Sequence, residues 1–147
     1  MPVFLLVVAC LIFSCNEQQQ GSENSGVAVK RKVAACYRYI NNHDTIILKT
    51  INVNGFITGT LVYNLYEKDK NKGTIQGVMK GGILIVNYTF FSEGIKSERQ
   101  VAFKKDDENF IEGYGNAEDK DGKTVFKNID SLTFSRSVIL KPYDCDQ

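Results

Sequence analysis

Short apolar runs separated by turn residues dominate the sequence from residue 33 onward, and they restrict the fold more than any other feature. Within residues 83–91 the apolar side chains occupy one alternating set, which is Leu84, Val86, Tyr88 and Phe90. This period of two is that of a β-strand with one buried face. Asn54-Gly55, between two such runs, is a strong signal for a two-residue hairpin. The whole pattern therefore predicts an antiparallel meander.

The pattern predicts about eight strands joined by turns of hairpin length. They lie at residues 33–40, 45–53, 56–66, 74–80, 83–91, 96–105 and 110–114, with a further one or two within 123–128 and 132–140. A single turn of helix is predicted within residues 131–137. Because exposed strand edges invite aggregation, such a sheet is best protected by closing on itself. We therefore predict an all-β fold, a meander closed into a small barrel.

A short repeat, Ile-x-Gly, places Gly59, Gly77 and Gly113 within the predicted strands. Glycine weakens a strand and often marks a bend or a bulge. A small barrel needs such bends to turn its corners. The structural interpretation is therefore preferred, and a glycine-lined approach for a ligand is the alternative.

The charges of the chain are nearly balanced, with 18 Lys and Arg against 17 Asp and Glu in 147 residues. A dedicated nucleic-acid-binding protein would show a basic face, so we expect no nucleic-acid partner. Tryptophan is absent, and 7 Tyr and 9 Phe supply most of the large core side chains. This composition favours strands and is sufficient for one domain, which we expect to be monomeric.

The N-terminus carries an apolar run, residues 3–13, which leads into Ser14-Cys15 and then into polar residues. The run is shorter than the ~20 residues of a transmembrane helix and suits the core of a signal peptide. A small residue before a cysteine at this place resembles the lipobox of bacterial lipoproteins. The resemblance implies cleavage after Ser14 and a lipid anchor, with palmitate-type acyl chains, on Cys15. Cys10 is the alternative, although it would leave an apolar mature N-terminus.

Three segments follow from this interpretation: a signal peptide at 1–14, a lipidated flexible tether at 15–32 and a barrel domain at 33–147. The tether is polar and low in apolar residues, as disordered segments are. The lipid would attach the mature protein to a membrane. The expected location is the bacterial cell envelope, at the outer membrane.

Two cysteines remain for the folded part, Cys36 and Cys145, one near each of its ends. Export places them in an oxidising compartment, where such a pair usually bonds. We therefore predict a Cys36–Cys145 disulfide, with two separate buried thiols as the alternative. Metal binding by the pair is not expected, because no histidine or further cysteine lies near either one.

The search for catalytic residues is negative. The single histidine, His43, lies in a predicted turn, where an exposed side chain is the expected outcome. The chain has no nucleophile elbow, no zinc-protease motif and no phosphate-binding loop. We therefore expect no enzyme activity, no cofactor and no metal.

Two triplets, Asp44-Thr45-Ile46 and Asp130-Ser131-Leu132, are similar to the O-glycosylation acceptor pattern of exported Bacteroidota proteins. The resemblance implies a sugar on Thr45 or on Ser131. Because the pattern is short and frequent by chance, unmodified side chains are the alternative.

Three stretches resemble a group of small lipoproteins common in Bacteroidota: CYRYI at residues 36–40, LYEKDKNKGTI at 65–75 and FIEGYG at 110–115. The group has no assigned activity, so the resemblance implies no site residues. In its fold the chain is similar to the lipocalin-like domain of copper-resistance and surface-sensing lipoproteins, whose Cys-x-x-Cys pair it lacks. It is also similar to the membrane-bound inhibitors of C-type lysozyme. The resemblance implies a lipocalin-like barrel, and such a fold does not by itself define a function.

The leading hypothesis is a non-catalytic envelope lipoprotein whose barrel binds a small apolar ligand or another envelope component. A barrel of about eight strands is either filled by side chains or holds one small ligand. An open apolar cavity would favour ligand binding, and an interior filled by Tyr and Phe would favour a protein-interaction role. The alternative is an interaction or inhibitor module that acts through loops at residues 67–73 or 115–122. An enzyme is the third and least favoured hypothesis.

Overall fold

Ten strands account for most of the chain that the structure, a computed structural model, describes, namely residues 33–68 and 70–146. They are β1 (Val33–Ile40), β2 (Thr45–Val53), β3 (Phe56–Asn64), β4 (Asn71–Lys80), β5 (Ile83–Ser92), β6 (Ile95–Asp106), β7 (Asn109–Tyr114), β8 (Ala117–Lys120), β9 (Lys123–Phe126) and β10 (Thr133–Tyr143). The predicted signal peptide, the tether, Cys10 and Cys15 lie outside the described residues. No helix within the described ranges is long and apolar enough to cross a membrane.

Eight of these strands form a closed antiparallel barrel. Their order around the barrel is β1-β2-β3-β4-β5-β6-β7-β10, and pairing between β10 and β1 completes the circle. The prediction of an all-β meander closed into a small barrel is therefore confirmed. β8 and β9 form a separate hairpin that joins β6 through one parallel bridge, between Arg99 and Thr124.

Left-handed backbone conformations at the hairpin turns explain where the strands end. Asn54 and Gly55, between β2 and β3, have φ angles of 55° and 87°. Gly81 and Gly82, between β4 and β5, have φ angles of 56° and 78°. Two consecutive positive φ angles are the requirement of the tight hairpin turn that matches the twist of the strands. β2 accordingly ends at the predicted residue, Val53.

Two of the repeat glycines lie where neighbouring strands come too close for a side chain. A Cβ atom on Gly59 would lie 1.8 Å from the carbonyl oxygen of Lys49, and one on Gly77 would lie 2.0 Å from that of Ile85. The absence of a side chain at these positions lets the strands approach and coil tightly. Both positions agree with the structural interpretation of the repeat.

Two predicted loops are partly strand. β4 begins at Asn71 and not at residue 74, since Asn71 pairs with Tyr63 on β3. The predicted loop 115–122 contains β8, which pairs with β9. Both segments are rich in residues that usually form turns, such as Asn, Asp, Lys and Gly, so their sequences did not predict a strand. Pairing with a neighbouring strand overrode their local preference.

The predicted helical turn within residues 131–137 is wrong. A turn of 3₁₀ helix lies earlier, at Ile129–Ser131, where the side chain of Asn128 accepts a hydrogen bond from the Asp130 backbone N–H at 2.9 Å. From Thr133 the chain continues as β10 and pairs with β7. A short helix is costly to nucleate, so pairing along an existing strand prevails.

The β2–β3, β4–β5 and β6–β7 turns lie at one end of the barrel, which we call the closed end. Buried side chains occupy the barrel interior towards this end. The large aliphatic and phenyl side chains that are 0% exposed are Leu48, Leu61, Ile75, Leu84, Phe103 and Leu140. The opposite end, called the open end, carries the β1–β2, β3–β4, β5–β6 and β7–β10 connections.

A disulfide joins Cys36 on β1 to Cys145, just after β10, with 5.3 Å between the two Cα atoms. The predicted pairing is confirmed, and the alternative of two separate thiols is wrong. The bond lies beside the seam between β1 and β10, where the register extends over only three residue pairs. It therefore fastens the barrel at the place where the sheet closes.

Candidate functional site

A cavity of about 530 Å³ lies at the open end of the barrel. Inward side chains of β1, β2, β3, β6, β7 and β10 form most of it, and the β8–β9 hairpin contributes one side. Its apolar walls are Ile46, Leu65, Val101, Phe126 and Val138. Small-molecule sites in proteins have volumes of roughly 300–1,000 Å³. The barrel is thus packed towards one end and hollow at the other, with a hollow of ligand size.

Arg99 on β6 lines the cavity because it occupies an inward position. It pairs with Tyr88 on β5 and lies two residues before the buried Val101. Its guanidinium carbon lies 5.1 Å from the ring centre of Tyr63, 5.6 Å from that of Tyr88 and 5.5 Å from that of Phe90. Aromatic faces attract a cation at such distances. Three rings therefore hold the guanidinium in place.

A carboxyl group, that of Glu112 on β7, lines the same cavity and belongs to a residue that is only 5% exposed. The Tyr63 hydroxyl donates to Glu112 Oε1 at 2.5 Å, and the Tyr114 hydroxyl donates to Oε2 at 2.9 Å. Both carboxyl oxygens are thereby satisfied. Arg99 forms no ion pair with Glu112 or with any other carboxylate of residues 33–68 and 70–146.

Burial is the main influence on the ionisation of these groups. It raises the pKa of Glu112, and the opposing effects of the two tyrosine hydroxyls and of Arg99 do not cancel this rise. Burial raises the pKa of Tyr88 to about 12. It also raises the pKa values of Tyr63 and Tyr114, with the neighbouring Glu112 as a second cause. The tyrosine hydroxyls therefore stay protonated, and those of Tyr63 and Tyr114 donate to Glu112.

The stability of the barrel is expected to contain a component that falls as the pH rises above 4.5, the ordinary pKa of Glu112. Folding raises this pKa, so the folded state binds the proton more tightly than the unfolded state does. The component is fully present below the unfolded pKa and is lost as the pH rises through the folded pKa. Glu112→Gln cannot titrate and should lack it.

Urea unfolding of the wild type and of Glu112→Gln, between about pH 4 and pH 8, measures this difference as a free energy of unfolding. Other titrating groups are common to both proteins and cancel in the comparison. Parallel pH profiles for the two proteins would contradict a raised pKa at Glu112.

Three buried side-chain atoms next to the cavity have no hydrogen-bond partner among the described residues: Arg99 Nε, the Tyr88 hydroxyl oxygen and Asn71 Oδ1. Tyr88 and Arg99 face each other across β5 and β6, and Asn71 pairs with Tyr63. Buried polar atoms are normally satisfied. Of these three residues only Arg99 lines the cavity.

Exposed apolar side chains flank the connections at the open end. They are Ile40, Tyr66, Phe91, Ile95 and Tyr114. Four further exposed apolar side chains, those of Val53, Phe56, Val78 and Met79, lie near the turns of the closed end. Exposed apolar side chains are thus present at both ends of the barrel and do not by themselves distinguish the open end as a binding surface.

The candidate glycosylation sites and the single histidine do not line the cavity, whereas Lys68, Gly115 and Ala117 from the two predicted interaction loops do. Thr45 is the first residue of β2 and is half-buried, whereas Ser131 is exposed and its hydroxyl donates to the Asn128 carbonyl at 3.0 Å. Glycosylation of either side chain stays a prediction. His43 is exposed, as predicted, and its ring centre lies 4.8 Å from that of Tyr66.

Gly113 is the member of the glycine repeat that lies at the cavity. A Cβ atom there would lie 2.5 Å from Cε1 of Phe134, so the position also has a packing role. The alternative interpretation of the repeat, a glycine near a ligand, stays a prediction for Gly113 and has no support at Gly59 or Gly77, which do not line the cavity.

Sequence reasoning did not single out Arg99 or Glu112 as site residues. Arg99 extends the inward stripe of Val101 and Phe103, and Glu112 follows the inward Phe110 by two positions. A charged residue on an inward stripe is unusual, because burying a charge is costly. A charged residue at an inward position was thus the sequence feature that could have identified these two site residues. It could not show that the two residues line one cavity.

The fold and the cavity define the class of this protein as a small closed β-barrel with a ligand-sized hollow at one end. This architecture is consistent with a lipocalin-like binding module. The chain matches no protein-family model, no curated protein and no solved structure. Within the described part of the chain, no three His, Cys, Asp or Glu residues are grouped so that they could hold a metal ion.

Proposed function

We propose that the protein is a non-catalytic lipoprotein of the bacterial envelope whose barrel binds one small amphipathic molecule at its open end. The cavity of about 530 Å³ carries this proposal, since it is the hollow part of a barrel that is otherwise packed. A barrel of about eight strands has room for one small ligand where its own side chains leave the interior empty.

The cavity lining favours an amphipathic ligand over the purely apolar one expected from the sequence. Ile46, Leu65 and Val138 offer apolar walls to one part of the molecule. Arg99 and Glu112 lie in the same cavity and require polar surroundings. A wholly apolar molecule would remove water from Arg99 without replacing its hydrogen bonds, at a cost in affinity.

The lipid anchor in this proposal rests on the sequence alone, on the apolar run at 3–13 and on Ser14-Cys15. Two or more acyl chains on Cys15 would give stable attachment to the outer membrane. An interaction or inhibitor role is the second candidate, and the exposed apolar side chains at both ends of the barrel favour it. The cavity favours ligand binding, because a concave site of this volume suits a small molecule better than a protein surface.

Closing the cavity with a large side chain is expected to weaken the binding of a neutral amphipathic probe, decanol, by at least about tenfold. Ala117→Trp places an indole at the cavity, because Ala117 is an exposed residue of its lining. Ala34→Trp is the matched control, since Ala34 is an exposed alanine of β1 that does not line the cavity.

Calorimetric titration of the purified full chain with decanol measures both effects. The proposal expects one binding site per chain, retained in Ala34→Trp and weakened in Ala117→Trp. Equal affinity in the two variants would contradict binding in this cavity. Absence of binding to the wild type, by decanol and by charged molecules of the same chain length, would favour the interaction role.

A further inference from the structure

We propose that the ligand of this cavity is a small organic acid whose carboxylate pairs with the Arg99 guanidinium while its apolar part lies against the cavity walls. This inference rests on the proposed function and adds the charge and the chemical class of the ligand. Three features of the cavity support it: a cation without a counter-ion, a carboxyl group that is already satisfied, and apolar walls.

The first feature is the uncompensated charge of Arg99. The guanidinium lines the cavity, and no carboxylate among the described residues lies within ion-pair distance of it. Its Nε atom is buried and has no hydrogen-bond partner there. Three aromatic rings surround the group. Rings attract the charge but accept few hydrogen bonds, so the terminal guanidinium N–H groups, which form no hydrogen bond with the described residues, are available to a ligand.

The second feature is that Glu112 does not act as the missing counter-ion. Both of its oxygens receive hydroxyl hydrogen bonds, one from Tyr63 and one from Tyr114. Burial raises the pKa of Glu112, which favours its neutral form. A satisfied carboxyl group of this kind attracts a ligand cation weakly. Asp44 and Lys68, the other charged residues of the lining, carry opposite charges, so the Arg99 guanidinium leaves the cavity with a preference for an anion.

The third feature is the match between the site and a monovalent carboxylate. A guanidinium presents parallel N–H donors that fit the two oxygens of one carboxylate. A phosphate monoester carries more negative charge than one guanidinium neutralises, and burying the surplus charge is costly. The apolar walls formed by Ile46, Leu65 and Val138 suit a hydrocarbon part beyond the charged group.

A purely structural role for Arg99 would give the same stacking on the aromatic rings but no selectivity for charge. The distinguishing measurement is therefore a ratio, the affinity for decanoate divided by the affinity for decanol. A substitution that only loosens the barrel would weaken the binding of decanoate and of decanol equally and leave the ratio unchanged.

Calorimetric titration of the full chain with decanoate, decanol and decyl phosphate tests the inference. For the wild type we expect decanoate to bind at least about tenfold more tightly than decanol and more tightly than decyl phosphate. Arg99→Gln should lower the decanoate-to-decanol ratio by about thirtyfold or more, as loss of one partner of a buried charge pair does. Glu112→Gln should leave the ratio close to that of the wild type, because the Glu112 carboxyl group is already satisfied by the hydroxyls of Tyr63 and Tyr114.

Arg99→Lys keeps the positive charge but loses the planar set of guanidinium N–H donors. Its decanoate-to-decanol ratio is therefore expected to lie between those of the wild type and Arg99→Gln. If Arg99→Gln does not fold, the decanoate-to-decanol ratios of the wild type and of Arg99→Lys still test whether the ligand is an organic acid. Equal binding of decanoate and decanol by the wild type would overturn the organic-acid assignment and leave the proposed function standing. Tighter binding of decyl phosphate than of decanoate would overturn the assignment of the ligand as a carboxylate. Failure of all three molecules to bind would count against the proposed function itself.

Discussion

Replacing both Cys36 and Cys145 by alanine is expected to lower the free energy of unfolding by about 2–5 kcal/mol. The two residues are 109 positions apart. In the chain-entropy account, a cross-link over a loop of about 100 residues disfavours the unfolded chain by as much as ~4.7 kcal/mol. The bond therefore stabilises the barrel mainly by restricting the chain when it is unfolded.

The native structure adds a local reason for a large effect. The seam between β1 and β10 has only three residue pairs in register, and one of them contains Pro142, which has no N–H to donate. The neighbouring pair of strands, β1 and β2, has eight pairs in register. Without the disulfide, opening of the barrel should therefore begin at the β1–β10 seam.

Urea unfolding of the double alanine variant, compared with the oxidised wild type, measures the loss. Reduction of the wild type with dithiothreitol is the control and should reproduce it. Hydrogen exchange should show the largest gain of exchange in β1 and β10. An unchanged free energy of unfolding after complete reduction would refute this assignment of the disulfide.

Phe103→Ala is expected to lower the free energy of unfolding by about 3–5 kcal/mol. The Phe103 side chain is 0% exposed, and its ring packs edge-on against Phe110 with 6.3 Å between ring centres. Truncation removes the burial of a whole phenyl ring and leaves a space that the rigid barrel can fill only in part.

Phe91→Ala is the matched control for this prediction, because Phe91 lies on the neighbouring strand β5 but is 62% exposed. Its removal should change the free energy of unfolding by no more than about 0.5 kcal/mol. Urea unfolding at one pH measures both variants. Similar losses for the two phenylalanines would contradict the inward and outward faces described for β5 and β6.

The strands were largely predictable because their signals are local. β1 and β2 have the predicted bounds, since turn residues such as Asn54-Gly55 flank clear apolar runs. β8 was not predicted, because its residues Ala117–Lys120 are all exposed and carry no alternation of burial. Its position depends on the partner strand β9, which the local sequence does not specify.

The candidate site was less predictable than the strands. The inward direction of Arg99 and Glu112 follows from the alternation along β6 and β7. The hydrogen bond between Tyr63 and Glu112 joins residues 49 positions apart, on β3 and β7. Contacts of this kind cross the barrel interior, and a period of two along one strand contains no information about the opposite wall.

The sequence by itself determined the alternation of inward and outward side chains, the hairpin turns and the cysteine pair, because each depends on neighbouring residues or on a count. Only the tertiary structure decided that the barrel is packed at one end and hollow at the other. The physical reason is that the free space inside a barrel is the volume left by side chains from eight strands together. No single segment of the sequence specifies this free space. It is in this space that Arg99 and Glu112 line one cavity.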